Sequence, residues 1–140
     1  MEQTVNPFMW PVRVYYEDTD SGGIVYHANY LRFFERARTE WLRSLGFEQD
    51  RMREELGTLF VVHSLTIRYN KPAVFNDLLQ VVTRISRYRG ASLEFDQRIL
   101  SENGETTLCE ATVTVACIDA DRLVPRPVPK ALIAEIAHAR

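Results

Sequence analysis

One amphipathic stripe restricts this chain's fold more than any other feature. Tyr30, Phe33, Phe34, Ala37, Trp41 and Leu45 recur at i, i+3, i+4, i+7, i+11 and i+15, which is one face of an α-helix. Arg32, Glu35, Arg36, Glu40 and Arg43 fill much of the remaining surface. The spacing predicts a helix over 29–45, with Gly46 as its C′ stop. Its apolar face is wide and aromatic, so a partner must enclose it. A shorter helix is predicted over 49–55, ending near Gly57, and a terminal one over 130–139.

The rest reads as strands: 9–16, 59–69, 78–89, 92–100 and 107–118. In 59–69 the alternation puts Leu59, Val61, Leu65, Ile67 and Tyr69 on one face, and His63 falls on it as a structural residue. Leu93, Phe95 and Ile99 share a face in 92–100. Polar or glycine-rich turns separate the runs. They include 17–23, a Pro72-bearing break at 70–76, Gly90, and the hairpin signal Asn103-Gly104. A strand, a long helix and four consecutive strands joined by short turns imply an α+β domain. The expected sheet is an antiparallel meander curved around the helix, one domain over 1–140.

Composition excludes several classes. At 46% apolar and 26% charged residues, the 140-residue chain can build a core and is not disordered. A net charge of −2 disfavours electrostatic wrapping of nucleic acid. No run approaches the ~20 apolar residues of a membrane span. Residues 1–11 include Glu2 and Asn6 and lack the basic start and apolar run of a secretory signal. A cytoplasmic protein is the expectation. Cys109 and Cys117 lie in one predicted strand, where eight residues separate their Cα atoms by ~26 Å. That is too far for a disulfide, and both are read as buried apolar residues.

Chemistry concentrates before the long helix. Glu17, Asp18 and Asp20 precede Gly22-Gly23, then Ile24-Val25-Tyr26-His27. Open N–H groups at a helix start can hold a developing oxyanion, and a nearby carboxylate can act as base or nucleophile. The same residues also fit a plain acidic turn with an N-capping Asp. Asp18-x-Asp20-x-Gly22 opens like a calcium loop, but position twelve is Asn29 rather than a bidentate Glu. His27 with scattered acids has no recognised zinc spacing. Two basic groups stand elsewhere: Arg84, Arg87 and Arg89 beside Gly90, and Arg122, Arg126 and Lys130 in the tail. They read either as solvated surface or as a site for an anionic ligand such as a nucleotide phosphate.

The stretch Val12-Arg13-Val14-Tyr15-Tyr16-Glu17-Asp18-Thr19-Asp20-Ser21-Gly22-Gly23-Ile24-Val25-Tyr26-His27-Ala28-Asn29-Tyr30-Leu31, continued by Phe34-Glu35-Arg36-Ala37-Arg38-Thr39-Glu40, closely resembles the 4-hydroxybenzoyl-CoA thioesterase family. Within it the chain is most similar to the Tol-Pal-associated acyl-CoA thioesterases. The resemblance spans nearly the whole chain and implies a hotdog fold, a sheet wrapped around a long helix. It implies hydrolysis of an acyl-CoA, or of an acyl carrier protein thioester. Asp20 matches the family's catalytic aspartate, and His27 matches the position whose N–H polarises the thioester carbonyl. The 4-hydroxybenzoyl-CoA enzymes proper carry Tyr where His27 stands.

Tyr26 and Ala28 flank that N–H and are expected at the substrate, with Arg87, Arg89 and Arg126 as candidates for the CoA phosphates. Asp18 is expected to tie the loop or cap the helix. Glu35 could reach the site from the helix, or form an ion pair on its surface. No metal and no cofactor beyond the CoA of the substrate is expected. A homo-oligomer, a dimer of dimers, is expected from the fold. Two other classes share this fold: a non-catalytic acyl-CoA or acyl carrier protein binding module, and a hydratase or dehydratase acting on the acyl chain.

Overall fold

Alternating sequence becomes a five-stranded antiparallel sheet in the computed structural model, which describes residues 7–139. Strand β1 is Phe8–Arg13, and a 3₁₀ turn follows at Tyr16–Asp18. Helix α1 is Asn29–Ser44 and α2 is Gln49–Leu56. Strands β2 (Thr58–Tyr69), β3 (Leu78–Arg89), β4 (Ser92–Leu100) and β5 (Thr107–Asp119) follow, and α3 is Lys130–Ala139.

The aromatic stripe does what its spacing requires. Tyr30, Phe33, Phe34, Ala37 and Trp41 are all buried in one apolar cluster with Val81, Ile85, Leu93, Phe95, Ile99 and Val113. Trp41 meets the Phe95 ring edge-on at 5.2 Å. Each buried Val, Leu, Ile or Phe side chain of this cluster contributes about 1.5–3 kcal/mol. Polar groups also hold the helix to the sheet. Gln97, fully buried, donates from Nε2 to the Phe34 carbonyl (3.0 Å) and Thr83 Oγ1 (2.9 Å), and accepts from Arg38 (3.0 Å). Past the C-cap Leu45, the N–H of Gly46 bonds Arg43 O and that of Phe47 bonds Leu42 O. These are the two bonds of a Schellman stop, and Gly46 supplies the φ of 93°.

Three expectations change. The strand order is β1-β3-β4-β5-β2, so only β3, β4 and β5 form a meander. β2 pairs with β5 rather than β3, because the Pro72 connection is no hairpin. It crosses the end of the sheet, taking N–H bonds from Asn70 and Lys71 to Leu108 O before its Ala73 carbonyl accepts from Val25. Second, β1 ends at Arg13, not at residue 16. The Asp18 carboxylate accepts the Tyr15 N–H at 2.8 Å and turns the chain out of the strand.

Third, β2 is bulged at His63. Phe60 and Val62 stand opposite Cys117 and Val115, while Leu65, Ile67 and Tyr69 stand opposite Val113, Ala111 and Cys109. The extra residue shifts the alternation. Leu59 and Val61 therefore lie on the other face from Leu65, Ile67 and Tyr69, and His63 sits exposed in the bulge.

Cys109 and Cys117 are buried and unbridged. Burial pushes their thiols up to about 12 and about 11. The folded state holds both protons more tightly than the unfolded chain. Their contribution to stability is full below the ordinary value near 9.0 and is lost as pH climbs towards the folded values. Iodoacetamide at pH 8 should leave both thiols unmodified in the native protein and label both after unfolding in urea; rapid native labelling of either would contradict the packing.

Candidate active site

A short hairpin presents the acidic cluster. Asp20 donates its N–H to Ile24 O (2.9 Å), Thr19 bridges Val25, and Tyr26 donates its N–H to Asp18 O (2.9 Å). At the tip the Gly22 N–H bonds Asp20 Oδ1 at 2.8 Å. Gly23 has a φ of 83°, which glycine adopts without strain. A Cβ on Gly22 would stand 3.2 Å from Asp20 Oδ1, so only glycine leaves the carboxylate uncrowded. Asp20 is exposed, and among the described residues its Oδ2 has no hydrogen-bond partner. One oxygen is thus held by the loop and the other is open for chemistry.

Asp18 has a different environment. It is buried, and its Oδ1 accepts from Asn29 Nδ2 at 2.8 Å while Oδ2 takes the Tyr15 N–H. It therefore ties the loop to the first residue of α1 rather than capping that helix's backbone. Of the three N–H groups around the helix start, that of Tyr26 is used by Asp18 O. Those of His27 and Ala28 have no acceptor among the described residues. They stand at the positive end of α1, where an oxyanion is favoured. Asn29 donates its own N–H to Tyr26 O at 2.8 Å.

Beside this start lies a cleft of about 240 Å³, lined by Ile24, Val25, His27, Tyr30, Tyr69 and Pro72 among others. The His27 ring is exposed, with Tyr26 at 4.5 Å and Tyr69 edge-on at 6.4 Å. The Tyr69 hydroxyl donates to His27 O at 2.8 Å. Tyr30 is buried, and its hydroxyl oxygen accepts the Ala73 N–H at 3.1 Å. Burial pushes its pKa up. The crossing segment is thereby fastened to both the helix and the acidic hairpin, since Ile24 also bridges Val74.

The expected site residues divide into two groups. Asp20, Tyr26, His27 and Ala28 gather where β2 ends and β3 begins. Arg87, Arg89 and Arg126 lie at the opposite end of the sheet, where Arg89 pairs Ser92 and Thr58 pairs Asp119. From Leu78 to Arg87 the strand runs on the order of 30 Å, so one chain does not bring these arginines to Asp20. Arg87 pairs with Glu94 at 3.3 Å. Arg126 donates to Gly57 O (2.9 Å) and Asp119 (3.3 Å), tying the tail to the end of α2.

Glu35 accepts from the Thr39 hydroxyl and, with Arg38, lines a separate cleft between α1 and β2. Burial lowers the Arg38 pKa. Among the described residues, no three of His, Cys, Asp and Glu converge where a metal ion could sit. Sequence reading missed Tyr69 and Asn29. Tyr69 reads only as one more strand residue, because its contact with His27 is 42 residues distant.

A sheet folded around one long helix, with a carboxylate hairpin at the helix start, defines a hotdog-type enzyme scaffold. Residues 14–136 match the thioesterase-like superfamily, and the chain belongs to it. It is 51% identical over 129 residues to the acyl-CoA thioester hydrolase YbgC of Escherichia coli, covering 91% of this chain and 94% of that protein. With the acyl-CoA thioesterase YbgC of Haemophilus influenzae it shares 49% identity, covering 96% and 98% of the two chains. The crystal structure of a probable thioesterase from Bartonella henselae superposes with a TM-score of 0.84 at 40% identity, covering 89% of this chain and all of that one (100%).

The two aspartates should separate by measurement. Asp18→Ala strands the Tyr15 N–H and the Asn29 amide, and should cost on the order of 2–4 kcal/mol in urea denaturation. Asp20→Ala, at an exposed tip, should cost far less. Equal losses would contradict the division of roles.

Proposed function

We propose that the chain hydrolyses acyl-CoA thioesters, with Asp20 as the reacting carboxylate and the His27 and Ala28 N–H groups holding the thioester oxygen. The observation that carries this reading is the pairing on one hairpin of a carboxylate with one free oxygen and a helix start with open donors. As nucleophile, Asp20 Oδ2 attacks the carbonyl carbon, the C–S bond breaks, and water then hydrolyses the mixed anhydride. As base, it takes a proton from water; the water oxygen attacks, and the leaving thiolate receives that proton. Either route yields the free acid and the CoA thiol. Charge develops on the carbonyl oxygen in both, and preorganised N–H groups stabilise it. Neither route calls for a cofactor or metal. We place the reaction in the cytoplasm, on CoA or an acyl carrier protein as carrier.

The arginines enter through a second copy of the chain. β2 is an edge strand whose residues 61–66 are all exposed. An isologous pair joined antiparallel along β2 would lay the Thr58 end of one copy beside the Tyr69 end of the other. Arg126 of one copy, bonded to Gly57 at the start of β2, then comes beside the His27 end of its mate, with Arg89 three strands further in along a path the CoA phosphates would follow. A dimer of dimers remains the expected assembly.

Asp20→Asn should lower kcat for acyl-CoA by about 10²–10⁴-fold while melting temperature and ligand binding stay near those of the parent. Near-normal turnover would remove Asp20 from the mechanism. A parent that binds acyl-CoAs yet releases no thiol from butyryl-, palmitoyl- or benzoyl-CoA would instead be a binding module.

Light scattering at micromolar concentration should give a mass well above 16.2 kDa. Arg89→Ala should raise KM about two- to fivefold, the scale of an exposed ion pair, with less effect on kcat and a smaller difference in high salt. A monomer, or an unchanged KM, would dissolve the shared phosphate site.

A further inference from the structure

We infer that Tyr69 is a positioning residue for the oxyanion donors, acting through the peptide that joins His27 to Ala28. This inference rests on the thioesterase reading above. Each open donor belongs to a peptide unit whose carbonyl points the other way. The His27 N–H shares its peptide with the Tyr26 carbonyl, which is held locally by the Asn29 N–H at 2.8 Å. The Ala28 N–H shares its peptide with the His27 carbonyl, and the group holding that one is the Tyr69 hydroxyl, at 2.8 Å. A carbonyl can only accept, so the direction of this bond is fixed: the phenol donates. Partial burial pushes the Tyr69 pKa up, so it stays a donor through the physiological range.

Such a bond has two effects on Ala28. It fixes the plane of a peptide that precedes the regular helix and lacks a helical partner on its N–H side. It also draws electron density towards the carbonyl oxygen and strengthens the N–H as a donor, as chained hydrogen bonds do. Tyr69 is itself well anchored. Its ring meets Tyr30 at 5.5 Å, and the next two residues, Asn70 and Lys71, both bond Leu108 O. The end of β2 thus sets the orientation of a donor at the start of α1. The donor matters most when the oxygen carries charge, so the loss should fall on kcat rather than KM.

Tyr69→Phe removes the hydroxyl and keeps the ring, at a side chain 45% exposed, so the fold should survive. With the acyl-CoA that the parent turns over best, kcat should drop about tenfold. That is less than the ~10²–10³-fold that follows loss of an oxyanion donor itself. KM and melting temperature should stay close to the parent's, and the Ala28 amide proton should move upfield in a ¹H–¹⁵N spectrum. Parental kcat would overturn the proposal. So would a loss of kcat accompanied by an equal loss of thermal stability, which marks a merely structural bond. Should the parent and Asp20→Asn prove equally inactive, the thioesterase reading fails instead. The Ala28 shift then still decides whether Tyr69 holds that peptide: movement supports the hold and an unmoved resonance overturns it.

Discussion

Burial of the aromatic face of α1 is the constraint on which the other features depend. Phe33, Phe34 and Ala37 are fully enclosed against the sheet, in one cluster with Val81, Ile85, Phe95 and Ile99. The strands bend around the helix, and its two ends are left at the two ends of the sheet. Its start therefore projects at the end where β2 finishes, β5 begins and the 70–77 connection crosses. Everything proposed for catalysis sits at that junction because backbone donors are open there and nowhere along the helix body.

The crossing segment turns a projecting helix start into a rigid one. Ala73 is its centre: its N–H meets the Tyr30 hydroxyl and its carbonyl meets the Val25 N–H. Helix and acidic hairpin are thus tied to the same buried residue. The two aspartates of Asp18-Thr19-Asp20 then differ by where they stand on the hairpin. Asp18 lies at its base under the helix start, where a carboxylate has to be hydrogen-bonded to be tolerated, and both of its oxygens are. Asp20 lies at the tip, with one oxygen on the Gly22 N–H and water available to the other. The same residue type is fully hydrogen-bonded at one position and leaves an oxygen open two residues on, where the proposed chemistry would use it.

Local signals in the sequence carried most of the elements. The 3.6-residue stripe placed α1 to within one residue, and Asn103-Gly104 marked the β4–β5 turn. Pro72 marked a break but not its geometry, because whether a broken run returns as a hairpin or crosses the sheet depends on what it can pack beneath. The bulge at His63 left no composition signal, and one extra residue was enough to move Leu59 and Val61 to the other face. The acidic cluster and His27 were legible because glycines, acids and a helix start are adjacent in sequence. Tyr69 was not, because its contact with His27 forms only once α1, α2 and the whole of β2 have brought together two positions 42 residues apart.

Charge distribution gives the last constraint. The carboxylate end of the sheet holds Asp18 and Asp20, while the opposite end holds Arg87, Arg89 and Arg126, with Arg87 and Arg126 already engaged by Glu94 and Asp119. In the proposed reading the ligand carries a thioester at one end and phosphates at the other, and Lys71 lines the cleft beside His27 while the arginines lie at the far end. In the proposed dimer, reversing a second copy along the β2 edge would add those arginines with no movement inside the chain, since two-fold symmetry sets unlike ends side by side. The pairing edge ends at Tyr69, the residue that steadies the Ala28 donor. Assembly along that edge and the geometry of the oxyanion donors would then be set by one strand, so a change in how β2 pairs would reach the reacting carbonyl through a single hydroxyl.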